Sequence, residues 1–311
     1  MSRKLLSFVT PCYNEFENVE ELHRLIEAEL EKLPQYDWEQ IYIDNASTDG
    51  TQDVLRRLAA ADPRVKVILN TRNFGHIRSP FHAIFAARGD AVITLVTDLQ
   101  DPPSLIPKFI EKWEAGYKVA MGQKISSDER RLFFAIRSAY YKLVRKLADI
   151  ELIEHVTGFA LFDREVVEQF RKLDDPYPYG RGLVSDFGYD VARIPYHQPN
   201  RRAGITKNNF YTLYDMAMLG ITSHSKVPLR IATLLGFALS LCSMFMAICY
   251  FIYKLLFWSR FPVGQAPVVI GLFLFSSVQL FFTGVLGEYI AAIHTQVLHR
   301  PLVIEKERIN F

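Results

Sequence analysis

Apolar and polar positions along the first two thirds of the chain fall into blocks whose period changes from one block to the next. The stretch from Leu5 to Glu15 reads as an apolar strand that breaks at Pro11 into a polar loop containing Tyr13-Asn14-Glu15. From Asn18 to Leu33 the residues Val19, Leu22, Leu25, Ile26, Leu30 and Leu33 recur at helical spacing and predict an amphipathic helix. Ile41-Tyr42-Ile43 is a second short strand, ending in Asp44-Asn45 and a Ser/Thr/Asp cluster of the kind that starts a helix. A helix over Thr51–Ala61, a strand over Val65–Leu69 and a buried strand over Ala91–Thr97 follow. Strand–helix alternation of this kind implies a parallel sheet with right-handed crossovers.

Open α/β sheets bind ligands beyond the carboxyl ends of their strands. Three predicted strands here end at that edge in polar clusters: Pro11 to Glu15, Asp44 to Asp49, and Asp98-Leu99-Gln100-Asp101. The last, stopped by Pro102-Pro103, offers carboxylate and amide oxygens suited to a hard cation such as Mg²⁺ or Mn²⁺. A cation there serves a substrate rich in phosphate. The plainer alternative for this segment alone is an acidic turn that caps the next helix.

The pattern changes near Lys226. Ile231–Tyr253 and Pro267–Gly287 carry no charge, and each is long enough to cross a hydrocarbon core of about 30 Å. The short connection makes them a hairpin with both flanks on one side. Lys226, Arg230, His299, Arg300, Lys306 and Arg308 bias those flanks to the cytoplasm. Phe133, Ile136, Tyr140, Leu143, Val144 and Leu147 recur at helical spacing among many arginines and lysines, as in a helix lying on an anionic membrane surface. Phe210 to Ile221 reads as a second amphipathic segment, lying on the membrane or in a subunit interface.

The 311 residues are half apolar, enough for a sizeable core, and the net charge of +2 gives no reason to expect nucleic acid. Cys12, Cys242 and Cys249 suggest free thiols rather than a disulfide framework. The N-terminal apolar stretch is short and lacks a small-residue cleavage site, so it does not read as a signal peptide. A structural role is expected for His76 and His82, and His155 and His197 have no metal-ligand spacing to a partner.

The ordered set Val9-Thr10-Pro11-Cys12-Tyr13-Asn14-Glu15, Asp44-Asn45-Ala46-Ser47-Thr48-Asp49, Arg72-Asn73-Phe74-Gly75 and Asp98-Leu99-Gln100-Asp101-Pro102-Pro103 resembles the signatures of family-2 glycosyltransferases. It is most similar to those acting on polyisoprenyl phosphates, the bactoprenol glucosyltransferases and dolichyl-phosphate mannose synthases. Val156 to Arg164, Gly204-Ile205-Thr206-Lys207 and Arg300-Pro301-Leu302 fall where that group has similar words. One departure stands out: the family usually has an Asp two residues before Asp98, and this chain has Val96.

The resemblance implies a GT-A-type α/β fold, an open mixed and mainly parallel sheet with flanking helices, plus a C-terminal two-helix transmembrane hairpin. It divides the chain into a cytoplasmic nucleotide-sugar transferase domain (1–207), a juxtamembrane amphipathic linker (208–230), two membrane helices (231–253 and 267–287) and a cytoplasmic tail (288–311). It implies an integral protein of the inner or plasma membrane, acting on a nucleotide-sugar donor and a polyprenyl phosphate acceptor in the bilayer, and a homo-oligomer is expected. Pro11, Tyr13, Glu15, Asp44, Asn45 and Arg72 would bind the nucleotide. Asp98, with Gln100 or Asp101, would hold Mg²⁺ or Mn²⁺. Asp98, Asp101, Arg201 and Lys207 would act on the diphosphate leaving group, and Arg130, Arg131 and Arg137 would take the acceptor phosphate. The expected reaction is inverting transfer of one sugar, glucose from UDP-glucose as first choice. Alternatives are another donor such as GDP-mannose, or a nucleotide-binding membrane scaffold without turnover. A processive polysaccharide synthase would need more spans and a Gln-x-x-Arg-Trp word that this chain lacks.

Overall fold

The apolar run at the start of the chain becomes strand β1 (Lys4–Cys12), against which the sheet is laid down. The structure, a computed structural model, describes residues 3–127, 156–199, 218, 222, 225, 227–257 and 265–311. After β1 come α1 (Val19–Leu30), β2 (Tyr36–Asp44), α2 (Thr51–Ala61), β3 (Val65–Asn70), α3 (Gly75–Ala86) and β4 (Ala91–Thr94). A short 3₁₀ turn (Pro103–Leu105) leads into α4 (Ile106–Glu114), β5 (Val119–Ser127), β6 (Val156–Asp163), α5 (Arg164–Leu173), α6 (Gly180–Asp186) and β7 (Val191–Gln198). The chain closes with two long helices, α7 (Val227–Leu256) and α8 (Gln265–Val297), and a last strand β8 (Glu305–Ile309).

The eight strands form one sheet in the order β7-β5-β6-β4-β1-β2-β3-β8. β1 pairs in parallel with β2 and β4, and β2 with β3, so their carboxyl ends share one edge. β6 and β8 run the other way. Alternation along the strands fills both faces. Leu6, Phe8, Ile93, Phe159 and Leu161 pack against α1 and α4 through Leu22, Ile26, Phe109 and Ile110. Val9, Ile41, Ile43, Ile68 and Val92 pack against α3 and α5 through Phe81, Ile84, Val166 and Phe170. Each such side chain contributes about 1.5–3 kcal/mol on burial.

Several boundaries differ from the sequence expectation; β2, for example, begins at Tyr36, ahead of the expected Ile41. α1 stops at Leu30, and Lys32 and Leu33 finish in tight turns because Pro34 disfavours helix before it. β4 stops at Thr94 rather than Thr97. The Leu95 amide still reaches the Val9 carbonyl, but the Val96 amide turns to the Asp101 carboxylate, and the ladder ends there. The second apolar helix continues past Gly287 to Val297. The basic segment around Phe133 to Leu147, and most of the linker 208–230, lie outside the described residues.

α7 and α8 are about 45 and 50 Å long at 1.5 Å per residue, and both are long and apolar enough to cross a membrane. Their apolar side chains face outward: Leu234, Phe237, Phe245, Leu280 and Phe281 are about two-thirds exposed. Beyond α8 the chain returns to the sheet. β8 pairs antiparallel with β3, Arg56 bonds Glu307 at 2.8 Å, and Asn310 donates to the Ala59 and Val65 carbonyls. His82 of α3, expected to be structural, pairs with Glu305.

This docking carries its own pH dependence. Burial would raise the Glu305 carboxyl, but hydrogen bonds from Arg308 and His82 hold it below its ordinary 4.5. Arg56 does the same for Glu307. Carboxyls depressed in the folded state stabilise it fully above their ordinary range, and that contribution is lost as pH falls through the depressed values. We expect the β8 amides to lose protection from hydrogen exchange before those of β1 as pH is lowered below 4.5. Simultaneous loss in both strands would contradict this.

Candidate active site

The four parallel strands β1 to β4 run out of ladder along one line, and polar side chains take over there. The Thr97 hydroxyl donates to the Pro11 carbonyl at 2.8 Å, tying the end of β4 to the end of β1. The Cys12 thiol lies 3.2 Å from the same hydroxyl, and burial pushes it well above the ordinary thiol range, so it is inert packing. Asp44, fully buried, accepts from the Ser47 amide and hydroxyl and from Gln52 at 2.7 Å. Asn45 accepts from Asn70 at 3.1 Å and from the Phe74 amide at 3.2 Å, so it fastens the β3–α3 loop to β2.

The β1–α1 and β2–α2 loops are stitched together. The Asn14 amide donates to Ser47, the Thr48 amide to Asn14, the Glu15 amide to Thr51, and the Phe16 amide to Asp49. Tyr13 and Pro11 are partly exposed on this rim. Glu15 accepts from Asn18 at 2.6 Å. Arg72 is exposed, with its guanidinium 4.1 Å from the centre of the Phe74 ring. Asn14, Ala46 and Leu99 have φ of 54°, 60° and 60°, one in each of the three loops that meet here. Non-glycine residues held in the left-handed region concentrate at functional sites, because surrounding contacts must over-determine them.

The acidic loop separates its two carboxylates by environment. Asp98 is 6% exposed, and its Oδ1 accepts from the Gln100 amide at 3.2 Å. Asp101 is 2% exposed and accepts on both oxygens, from the Val96 amide at 3.2 Å and from the Tyr196 hydroxyl at 3.0 Å. Tyr196 stands 3.1 Å from the Thr157 hydroxyl, and Gly122 leaves room for its ring: a Cβ there would lie 2.9 Å from Tyr196 Cε1. Gln100 donates to the Pro199 carbonyl at 3.3 Å. Asp101 thus holds the loop, and Asp98 is the carboxylate set at its mouth.

Among the described residues no three His, Cys, Asp or Glu side chains converge as a ready-made metal cage. Asp98 with the Gln100 amide supplies hard oxygen donors, and one or two protein oxygens completed by phosphate oxygens suit Mg²⁺ or Mn²⁺. Such a cation fits this edge when it arrives with a diphosphate.

Pro11, Tyr13, Glu15, Asp44, Asn45, Asp98, Gln100 and Asp101 are therefore brought to one edge, with Arg72 on the adjoining β3–α3 loop. Arg130, Arg131, Arg137, Arg201 and Lys207 lie outside the described residues. Thr97 and Thr157 fall within stretches singled out in the sequence but were assigned no role there, and Tyr196 was not singled out. The signal for Tyr196 was alternation with Ala192 and Ile194 along β7, which turns all three toward buried surroundings.

Residues 7–171 match the model of glycosyl transferase family 2. The chain belongs to that family. It is 35% identical over 303 residues to the bactoprenol glucosyl transferase of Shigella phage SfV, covering 97% of this chain and 98% of that protein. A prophage bactoprenol glucosyl transferase homolog from Escherichia coli strain K12 is 32% identical over 302 residues, with 97% and 98% covered. The fold resembles that of glucosyl-3-phosphoglycerate synthase from Mycobacterium tuberculosis, solved with phosphoglyceric acid: TM-score 0.50 at 18% identity, over 70% of this chain and 78% of that one. The GT-A-type sheet implied by the sequence is the sheet of this glycosyltransferase.

The Asp101–Tyr196–Thr157 network is open to a direct test. Tyr196→Phe leaves a buried carboxylate oxygen without its donor and should destabilise the full chain by about 1–3 kcal/mol. Thr157→Val should cost less, and the double variant should cost less than the sum of the two. Additive losses in denaturant titration would show that the three groups do not act together.

Proposed function

We propose that the chain is a membrane-anchored glycosyltransferase that moves one sugar from a nucleotide donor to a polyprenyl phosphate and inverts the anomeric centre. One observation carries this reading. A single polypeptide holds a buried carboxylate edge at the mouth of parallel strands and two outward-facing apolar helices whose tail is sewn back into the same sheet by β8. The resemblance to bactoprenol glucosyl transferases along almost the whole chain supports a lipid carrier as acceptor and UDP-glucose as donor.

In this reading the rim of Pro11, Tyr13, Glu15, Asp44, Asn45 and Arg72 receives the nucleoside. Asp44 and Asn45 act chiefly by fixing the loops that line it, because their polar atoms already serve Ser47, Gln52, Asn70 and Phe74. Asp98 and Gln100 hold the divalent cation, which when bound offsets charge on the diphosphate leaving group. Asp101 keeps Asp98 in place. Arg201 and Lys207 are assigned to the diphosphate, and Arg130, Arg131 and Arg137 to the acceptor phosphate.

A phosphomonoester with a second pKa of about 6 is largely a dianion at neutral pH. Its oxygen attacks the anomeric carbon as the bond to the diphosphate breaks, so a sugar phosphodiester forms and the nucleoside diphosphate leaves. No protein base has to take a proton. α7 and α8 cross the bilayer, with the transferase half on the cytoplasmic side.

Two assays with the purified full chain test the proposal. Asp98→Asn should lower kcat by about 10²–10³-fold, the usual scale for losing one electrostatic stabiliser, with unfolding unchanged. Turnover near that of the parent chain with Mn²⁺ or Mg²⁺ present would remove Asp98 from the site. With radiolabelled UDP-glucose, polyprenyl phosphate should be glycosylated and polyprenol and water should not. Equal transfer to polyprenol would overturn the phosphate as nucleophile, and label transferred only from GDP-mannose would replace the donor.

A further inference from the structure

The four residues between β3 and α3, Thr71 to Phe74, carry the rim residue Arg72 and are held from two directions. From β2, Asn45 accepts from the Phe74 amide at 3.2 Å. From the far end of the chain, the Ile304 carbonyl accepts from the Thr71 amide at 3.0 Å and from the Thr71 hydroxyl at 3.1 Å. Ile304 belongs to the tail that runs from α8 to β8. Phe74, Arg78 and His82 follow one another at a spacing of four, which puts them on one side of α3. The tail lies along that side: Arg78 donates to the Pro301 carbonyl, and His82 pairs with Glu305. Just ahead of the tail, Gln296 in the last turn of α8 donates to Asp175 at 2.8 Å.

Arg78 is where these supports meet. Its guanidinium carbon is 5.4 Å from the centre of the Phe74 ring, and that of Arg72 is 4.1 Å from the same centre. A guanidinium within about 6 Å of a ring centre is attracted by the ring's quadrupole. Arg78 holds this place against an opposing electrostatic force. Burial, with Arg72 and Arg300 nearby, pulls its guanidinium below the ordinary range, and its Nε is buried without a hydrogen-bond partner among the described residues. An arginine serving only as surface charge would swing its head out to water. A planar group that meets both a carbonyl and a ring is what arginine offers and lysine does not.

We propose that Arg78 is a positioning residue for the nucleotide: through the Phe74 ring it sets Arg72, and through Pro301 it makes that setting depend on the docked tail. The proposal rests on the reading of Arg72 as part of the nucleotide rim. Coupling between two sites is reciprocal. A nucleotide that prefers the braced rim therefore favours the docked tail by the same factor.

The test uses the full chain in detergent, with UDP and Mn²⁺ as the probe. In the parent chain UDP should slow hydrogen exchange at the β8 amides more than at those of α5. Arg78→Gln should abolish that extra protection. It should also weaken UDP binding and raise the donor KM about ten-fold, an ordinary size for coupling between two sites, with kcat and the acceptor KM within about two-fold of the parent. Arg78→Lys should lose nearly as much. Recovery of UDP affinity by Arg78→Lys would mean that positive charge alone suffices and would overturn the brace. A UDP-bound parent chain whose β8 is protected no more than its α5 would overturn it too, and that measurement needs no variant to fold. A fall in kcat with faster exchange in β1 as well as β8 would make Arg78 a general support of the fold and refute the proposal. Arg72→Ala separates the two readings. If it leaves UDP affinity unchanged, the nucleotide rim is misassigned and the brace falls with it. If it weakens UDP binding and Arg78→Gln does not, the rim stands and the brace is refuted.

Discussion

Everything at the functional edge depends on how parallel strands end. Where β1, β2, β3 and β4 stop, their last amides and carbonyls still need partners, and a buried backbone group left without one costs free energy comparable to a lost hydrogen bond. This chain answers with side chains. Thr97 covers the Pro11 carbonyl, Asp101 takes the Val96 amide, Asn45 takes the Phe74 amide, and Asp44 gathers Ser47 and Gln52. Much of the polarity gathered at this edge is therefore engaged in holding it together. A ligand meets a surface already shaped, with Asp98 at its mouth.

The departure at Val96 is intelligible in the same terms. Its side chain brings no carboxylate to the site, but its amide anchors Asp101, and the anchored Asp101 is held again from β7 by Tyr196. The loop is fixed from two distant stretches of chain. That is why Leu99 is held at a φ of 60°, a backbone state that costs roughly 1–2 kcal/mol for an L-residue.

Much of this was legible in the sequence. The helix over Thr51–Ala61 and the strand starting at Val65 were marked by period and by flanking polar clusters, and the structure has both. The edge position of Asp44 and Asp98 followed from strand–helix alternation. What period could not show was partnership. Asp44 and Asp101 read as ligands because a carboxylate at a strand end looks the same whether it faces a cation or a backbone amide. β8 was missed because Glu305-Lys306-Glu307-Arg308-Ile309 is charged at nearly every position, as suits a strand at a sheet edge. Tyr196 lies almost a hundred residues from its partner Asp101, beyond the reach of any local pattern.

The placement of β8 also imposes an order on biosynthesis. Arg56 and Glu307 are 251 residues apart, and the whole of α7 and α8 lies between them. While a ribosome is still making the second long helix, β3 is the outermost strand of the nascent sheet, with unpaired amides and carbonyls along its rim. The sheet gains its eighth strand only after both apolar helices have been synthesised and the tail can travel back. Closure of so long a loop is paid for late, by contacts at the last few residues of the chain. An incompletely inserted chain thus carries an open β3 edge, the kind of surface on which strands of other chains add and which quality-control machinery can recognise.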